Sequence, residues 1–173
     1  MADGVRGNQY LAFNSEIQKG IVLHRAIDTF TDAHPIFRKC TKKLHSEYHH
    51  YSGVIVDVFF DHFLAKNWNL YSEEALENFV ANFYTSLTTY ETHLTEKAER
   101  MKPYMIEQNW LMSYQSIEGI EKILTQMDRR TKNVSMMRNS VTELKLYYSE
   151  FEHHFTDLFE ELRAFSSEKL LTL

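Results

Sequence analysis

The segment GVIVDVFFDHFLAKNW, residues 53–68, decides between a helical and a mixed fold for this chain. Its first eight residues are dense in valine, isoleucine and phenylalanine, which taken alone would fit a short buried strand. The apolar run continues through Leu64 to Trp68, however, and that length is more typical of a buried helix. We therefore predict a core helix here, with Asp57 and Asp61 four residues apart within it.

The composition of the rest of the chain favours the same answer. Only 5 glycines and 2 prolines occur in 173 residues, and no Asn-Gly or Asp-Gly turn separates alternating segments. So few turn signals leave little room for β-hairpins. We predict an all-α, single-domain helical bundle over residues 1–173, with a long C-terminal helix.

Capping residues and prolines indicate where the first helices begin and end. Ser15 and Gln18 form a capping-box pattern that opens a helix running to about Ala33. Pro35 suits the first turn of the next helix, which should reach about Tyr51. Two helices are therefore expected before the core helix.

Further helices are predicted in the second half of the chain. Ser72, followed by two glutamates, should cap one of them. A shorter helix should follow Pro103 and carry Trp110, and another should span about 117–129.

The last segment carries apolar residues three and four apart over about four heptads. We predict one long packing helix, and a homodimer contact is one use that such a seam allows. Its apolar positions are Val134, Met137, Val141, Leu144, Tyr148, Phe151, Phe155, Leu158, Leu162 and Phe165.

Composition argues against several classes of protein. The chain has no run of about 18 apolar residues and no signal-peptide pattern at its N-terminus, so we expect a cytoplasmic protein. Its net charge of −5 argues against general nucleic-acid binding. Cys40, the single cysteine, cannot form an internal disulfide and is interpreted as a packing residue.

Two clusters of basic residues interrupt this acidic background. Each is a candidate docking surface for an acidic partner. The first cluster is Arg38, Lys39, Lys42 and Lys43, and the second is Arg129, Arg130 and Lys132.

Polar side chains recur at helical spacing inside two otherwise core-forming segments. Residues four apart on a helix can converge along one stripe. Burying such carboxylates without partners would cost several kcal/mol per ion, so a cation or tight ion pairing is required if they are buried. The first set is His24, Asp28 and Asp32, and the second is Asp57 and Asp61 with the adjacent His62.

Two interpretations of these sets stay open at this point. Imidazole and carboxylate donors suit Mn²⁺, Fe²⁺ or Mg²⁺, and the lack of cysteine partners argues against structural zinc. Ordinary ion pairs, such as Arg25 with Asp28, would equally satisfy the charges. No serine or cysteine nucleophile motif and no glycine-rich phosphate loop is present, so an enzyme of this sequence would use a metal-activated water.

The polar sets belong to longer motifs that together resemble one known family. The motifs are Met1-Ala2-Asp3-Gly4-Val5-Arg6-Gly7, His24-Arg25-x-x-Asp28-x-x-x-Asp32, Asp57-x-x-x-Asp61-His62-Phe63-Leu64 with Trp68, Asn109-Trp110-Leu111-x-x-Tyr114, and Met127-x-Arg129-Arg130. In this combination the sequence resembles the acyl carrier protein phosphodiesterase family over essentially its whole length.

This resemblance implies a fold, a reaction and a partner. The fold would be related to the HD-domain metal phosphohydrolases, with manganese as the favoured divalent ion and Mg²⁺ or Fe²⁺ as alternatives. The reaction would be hydrolysis of the phosphodiester that joins 4′-phosphopantetheine to a serine of holo acyl carrier protein, a step of lipid metabolism and fatty acid biosynthesis. Acyl carrier protein would be the partner, with no nucleic acid or membrane, and its acidic surface would suit the basic clusters.

The resemblance also implies roles for individual residues. Metal ligands or water activators would be Asp3, His24, Asp28 and Asp61, with Asp3, Arg25 and Asp61 acting in catalysis and Arg25 holding a phosphate oxygen. Residues that orient these ligands would be Asp32, Asp57 and His62.

One departure from the family pattern bears on these roles. The family carries an upstream helix with an Asn-Phe-Leu-Ala-His stretch, whereas this sequence starts at Met1 within the motif that follows it. We expect this chain to lack that helix and any ligand that it carries. Two other functions remain alternatives: an HD-like phosphohydrolase acting on a nucleotide or another phosphoester, and a catalytically inert helical interaction module.

Overall fold

The structure, a computed structural model, describes residues 4–173. Over this range nine α-helices and short 3₁₀ turns make up the regular structure, and no strand is present. The all-α prediction is confirmed, while the single-domain assignment and the relation to HD-domain phosphohydrolases stay predictions. The helices are α1 (Ser15–Ala33), α2 (Pro35–Tyr48), α3 (Ser52–Lys66), α4 (Leu76–Thr89), α5 (Glu96–Glu107), α6 (Trp110–Ser113), α7 (Ile117–Arg130), α8 (Val141–Leu146) and α9 (Tyr148–Leu170).

Helix α3 is the centre of the main hydrophobic core. It packs against α2, α7 and α9, and the side chains of Ile55, Val56, Phe59 and Phe63 are fully buried. A helix buried on most sides needs apolar residues around nearly its whole circumference. This requirement explains the continuous apolar run of residues 53–68 and confirms that the segment is a helix rather than a strand.

The first two helices begin close to where the sequence predicts. Helix α1 starts at Ser15, but its N-cap is Asn14, whose Oδ1 accepts a hydrogen bond from the backbone N–H of Ile17 at 3.0 Å. The predicted capping box is therefore wrong in detail, since Gln18 donates instead to the carbonyl oxygen of Phe13 at 2.8 Å. An asparagine at this position serves as well as a serine because both present an acceptor oxygen to the first turn.

Helix α2 begins at Pro35, as predicted, and packs a strongly amphipathic face into the core. It ends at Tyr48 rather than Tyr51, because residues 49–51 form a 3₁₀ turn with His49 at a positive φ of 49°. Cys40 is buried on its inner face, and burial raises the pKa of the Cys40 thiol to about 12. Cys40 is therefore a packing residue, as predicted.

Two predicted helix starts in the middle of the chain are wrong. Helix α4 begins at Leu76, while the Ser72 hydroxyl accepts a hydrogen bond from the Glu74 N–H in the preceding turn. Pro103 is the eighth residue of α5 and does not precede a new helix. Trp110 begins a separate single-turn helix, α6.

The predicted long helix of the C-terminal segment is interrupted. A 3₁₀ turn over Met137–Ser140 and the short α8 precede α9, which alone runs for 23 residues. The long C-terminal helix is confirmed from Tyr148 onward, and the inner side of the seam is buried at Phe151, Phe155 and Leu158. The same chain covers these residues, so they offer no free seam for a dimer, and the homodimer stays a prediction.

No helix within residues 4–173 is both long enough and apolar enough to cross a membrane. The cytoplasmic location predicted from the sequence stays a prediction.

Candidate functional site

Carboxylates from two helices face one cleft between α1, α3 and α9. The cleft has a volume of about 640 Å³, and we call it the acidic cleft. Its polar lining comes from α1 and α3, and α9 supplies an apolar wall. The lining residues are His24, Ile27, Asp28, Thr31, Asp32, Asp57, Phe60, Asp61, Leu64, Phe155, Leu158, Phe159 and Leu162.

Helical spacing on both sides of the cleft brings these residues together. His24, Asp28 and Asp32 lie on successive turns of α1, and Asp57 and Asp61 lie on successive turns of α3. The structure therefore places these five residues along one cleft, and their roles at a common ion stay predictions.

The carboxyls of Asp57 and Asp61 have the most strongly shifted pKa values among the residues that line the acidic cleft. Solvent reaches both side chains through the cleft, but protein surrounds them on their other sides. Burial first, and then the charges of Asp32 and Asp28, raises the pKa of Asp57 to about 7. Burial and the charge of Asp57 raise the pKa of Asp61 to about 7. Each of these carboxylates lies close to other negative charges, and a bound cation would reduce the repulsion between them.

The side chains of His24 and Asp28 are in close contact in the cleft. The Nδ1 atom of His24 lies 2.9 Å from Oδ2 of Asp28. Such a contact fixes the orientation of the imidazole ring relative to the carboxylate. Both groups can donate electron pairs to a metal ion.

The donors are close but do not form a finished metal centre. Within residues 4–173, no group of three His, Cys, Asp or Glu side chains lies close enough together to hold a metal ion. The metal ion and its ligand set stay predictions. Asp3, also predicted as a ligand, lies outside the described residues.

Arg25, predicted to hold a phosphate oxygen, points away from the acidic cleft. Its Nη2 donates to the carbonyl oxygen of Val5 at 2.8 Å, and its guanidinium lies 5.2 Å from the ring centre of Tyr10. Arg25 therefore fastens the segment before α1 to that helix. It does not appear among the residues that line the cleft.

His62, predicted to orient a ligand, is a buried brace in the core. Only 1% of its surface is exposed, and both ring nitrogens have partners. Nδ1 donates to the carbonyl oxygen of Tyr114 at 2.7 Å, since a carbonyl can only accept, and the Tyr148 hydroxyl donates to Nε2 at 2.8 Å. Burial lowers the pKa of His62, so the ring is neutral and ties α3 to α9 and to the end of α6.

Sequence reasoning missed two parts of the site. Phe155, Phe159 and Leu162 of α9 form the apolar wall, although the aromatic stripe indicated only core packing. Tyr114 follows α6, and burial, together with the charges of Asp61 and Asp57, raises the pKa of its phenol. The Asn-Trp-Leu-x-x-Tyr motif was the one sequence signal for Tyr114, and none existed for the α9 wall.

Comparisons with known proteins point to one family. A family model described as acyl carrier protein phosphodiesterase matches residues 1–162. An acyl carrier protein phosphodiesterase of Photorhabdus laumondii is 28% identical over 153 residues, which cover 88% of this chain and 77% of the relative. Proteins of the same name from Escherichia coli O157:H7 and from E. coli K12 (DH10B) are each 28% identical over 172 residues, covering 99% of this chain and 89% of each relative. No solved structure matches the chain.

The match to the family model spans nearly the whole chain, including all the residues of the acidic cleft. The relatives cover the same region and share one description. This chain therefore belongs to the acyl carrier protein phosphodiesterase family and is a phosphodiester hydrolase.

Proposed function

We propose that this chain is a metal-dependent phosphodiesterase that releases 4′-phosphopantetheine from holo acyl carrier protein and leaves the apo carrier protein. The names of its relatives identify acyl carrier protein as the protein on which they act. Family membership supports the reaction class, and the acidic cleft supports the site.

The observation that carries the proposal is uncompensated negative charge from two helices. In the described part of the chain, no lysine or arginine lies within ion-pair distance of Asp28, Asp57 or Asp61. Carboxylates held this close together repel one another, and a protein that used them for stability alone would pair them with lysine or arginine. Carboxylates arranged in this way suit a site for a divalent cation.

The donor set of the cleft fits such an ion in chemistry. His24, Asp28 and Asp61 would hold it, since one imidazole and several carboxylate oxygens suit Mn²⁺, Fe²⁺ or Mg²⁺. When bound, the ion would supply Lewis-acid stabilisation of the charge that develops on the phosphoryl oxygens. We favour manganese among the three.

The chain's own residues would carry the remaining steps. A water oxygen attacks phosphorus, the bond from phosphorus to the serine oxygen breaks, and the serine oxygen takes up a proton. The carboxylate of Asp57 can accept the proton of the water, since a pKa of about 7 leaves part of it ionised at neutral pH. The apolar side chains of Phe155, Phe159 and Leu162 limit the access of other waters.

The proposal is tested by incubating the protein with holo acyl carrier protein and Mn²⁺ and following the carrier by mass spectrometry. The wild type should convert holo carrier to apo carrier and release phosphopantetheine. Asp61→Asn and His24→Ala should lose at least about 100-fold in rate, because each removes a donor of the cleft.

Asp157→Asn is the matched control. Asp157 is an exposed aspartate of α9 that lies 3.4 Å from His153 and does not line the cleft, so its variant should keep full activity. Circular dichroism should show that all variants are folded. Full turnover by both Asp61→Asn and His24→Ala would overturn the assignment of the site. Release from other phosphoesters but never from the carrier protein would overturn the assignment of the substrate.

A further inference from the structure

We propose that a groove between α5 and α7 is the surface on which the acidic carrier protein docks. This inference rests on the proposed function and adds the place of recognition. The groove has a volume of about 440 Å³, and we call it the arginine groove. The residues that matter are Arg100, Tyr104, Gln108, Trp110, Arg129 and Arg130.

The arginine groove concentrates positive charge in an otherwise acidic chain. Three guanidinium groups line it, and no carboxylate does. Among residues 4–173 none of the three arginines has an ion-pair partner, whereas Arg138 pairs with Asp128 and Arg163 with Glu160. In a chain of net charge −5, such a patch favours an acidic partner.

The floor of the groove is organised by hydrogen bonds. Oε1 of Gln108 accepts from Nε1 of Trp110 at 3.1 Å and from Nε2 of Gln126 at 3.2 Å. The guanidinium of Arg130 lies over the Trp110 ring, 5.5 Å from its centre. The indole N–H of Trp110 and an amide N–H of Gln126 are thus bonded within the chain, while the arginines keep N–H donors for carboxylates of a partner.

The structure distinguishes this groove from the other basic cluster of the sequence. In that cluster Lys43 already pairs with Glu150 at 2.8 Å, and Arg38 donates to the backbone carbonyl of Asp32. Part of its charge is therefore used within the chain. The cluster around Arg129 keeps its charge and is the better docking surface.

Helix α6 connects the arginine groove to the acidic cleft. Trp110, its first residue, lines the groove, and Tyr114, directly after its end, has its phenol near Asp57 and Asp61. Four residues of helix span about 6 Å. A carrier protein held in the groove would lie beside the cleft, so that its prosthetic group could enter from the side of α6.

The test compares two pairs of charge reversals with equal changes in charge. The first pair is Arg100→Glu with Arg129→Glu, which leaves the contact between Arg130 and the Trp110 ring in place. The matched control is Lys39→Glu with Lys42→Glu, two exposed lysines of α2. Turnover of holo acyl carrier protein is measured over a range of salt concentrations, together with turnover of bis(p-nitrophenyl) phosphate, which has no carrier protein.

We expect the arginine pair to raise the KM for holo carrier protein by about tenfold at low salt, with kcat within about twofold of wild type. The difference should shrink as salt screens the charges. Turnover of bis(p-nitrophenyl) phosphate should be unchanged, and the lysine pair should behave as wild type. If the glutamate variants do not fold, Arg100→Gln with Arg129→Gln replaces them in the same comparison, against Lys39→Gln with Lys42→Gln.

Three outcomes would overturn the docking proposal. One is an unchanged KM for the arginine pair while the wild type is active, which leaves the proposed function intact. Another is an equal rise in KM for the lysine pair. The third is inhibition of the wild type by pyrophosphate that the arginine pair abolishes with KM unchanged, since the groove would then bind a small anion. No release of phosphopantetheine by the wild type would instead overturn the proposed function and docking together.

Discussion

Asp57 and Asp61 project from successive turns of α3 into the same cleft, and the pKa of each is raised to about 7. Solvent reaches each carboxyl through the cleft, while protein packed on its other sides and nearby acids favour its neutral form. Ionisation of these two carboxyls therefore lowers the free energy of unfolding, and a bound cation would offset that loss.

The first prediction follows from the sign of this shift. The folded pKa of Asp57, about 7, lies above its usual value of 3.8, so the folded chain binds more protons between these values. Stability should therefore fall as pH rises from about 4 to 7 and stay low above 7. Asp57→Asn should raise the free energy of unfolding at pH 8 by about 1 kcal/mol, a modest value because solvent in the cleft screens the charges.

Urea unfolding at pH 4 and pH 8 checks this prediction. The gain from Asp57→Asn should be much smaller at pH 4, where the folded-state carboxyl is protonated and the pH is close to the unfolded-state pKa of 3.8. A gain of equal size at both values would show that the charge of Asp57 is not its cause.

The second prediction concerns divalent ions and is read from stability rather than activity. At pH 8, Mn²⁺ at 100 times its dissociation constant should stabilise the wild type by about 2.7 kcal/mol, because it binds only the folded chain. Asp61→Asn should remove most of this effect, and the exposed Asp157→Asn should keep it. Thermal unfolding with and without Mn²⁺ measures all three, and an identical shift in the Asp61→Asn variant would count against the proposed site.

The third prediction uses two glycines in different surroundings. A Cβ added at Gly119 would collide with the backbone carbonyl of Ser113, so Gly119→Ala must push α6 away from the start of α7. This change should cost about 2 kcal/mol or more. A Cβ at Gly20 in α1 meets nothing within 4 Å, and Gly20→Ala should stabilise the chain by about 0.5–1 kcal/mol.

Chemical denaturation of the two alanine variants compares them directly. Because Trp110 lies in α6, its fluorescence should also change in Gly119→Ala and not in Gly20→Ala. Equal stability of the two variants would contradict the close packing of α6 on α7.

The fourth prediction concerns the buried brace formed by His62. His62→Leu leaves the Tyr114 carbonyl and the Tyr148 hydroxyl without their partner, at a cost of about 2–3 kcal/mol. His153→Leu, at a histidine of α9 that is mostly exposed, should change stability by less than about 0.5 kcal/mol.

The pH dependence of the His62 variant provides its independent check. Burial lowers the folded pKa of His62 below 6.5, so this residue contributes stability above that pH and loses it as pH falls. The difference between wild type and His62→Leu should therefore shrink below pH 6.5. A difference that grows in acid would mean that the ring is charged in the core.

Several features were predictable because they depend on neighbours in sequence. The apolar circumference of residues 53–68 specified a buried helix, and Pro35 specified the start of α2. Predictions failed where two local signals competed. Ser72 has the chemistry of a cap but serves a turn, and the seam from Val134 is interrupted because Met136 takes a left-handed conformation, with φ of 52°.

By itself, the sequence determined the helices and the polar stripes on them, because a period of 3.6 residues places His24 with Asp28 and Asp57 with Asp61 whatever the rest of the chain does. Only the tertiary structure decided which stripes meet. It set Asp57 among Asp28 and Asp32, turned Arg25 toward Val5, and buried His62 between Tyr114 and Tyr148. The physical reason is that burial and charge act through space, between groups that the packing of α1, α3 and α9 brings together from distant parts of the chain.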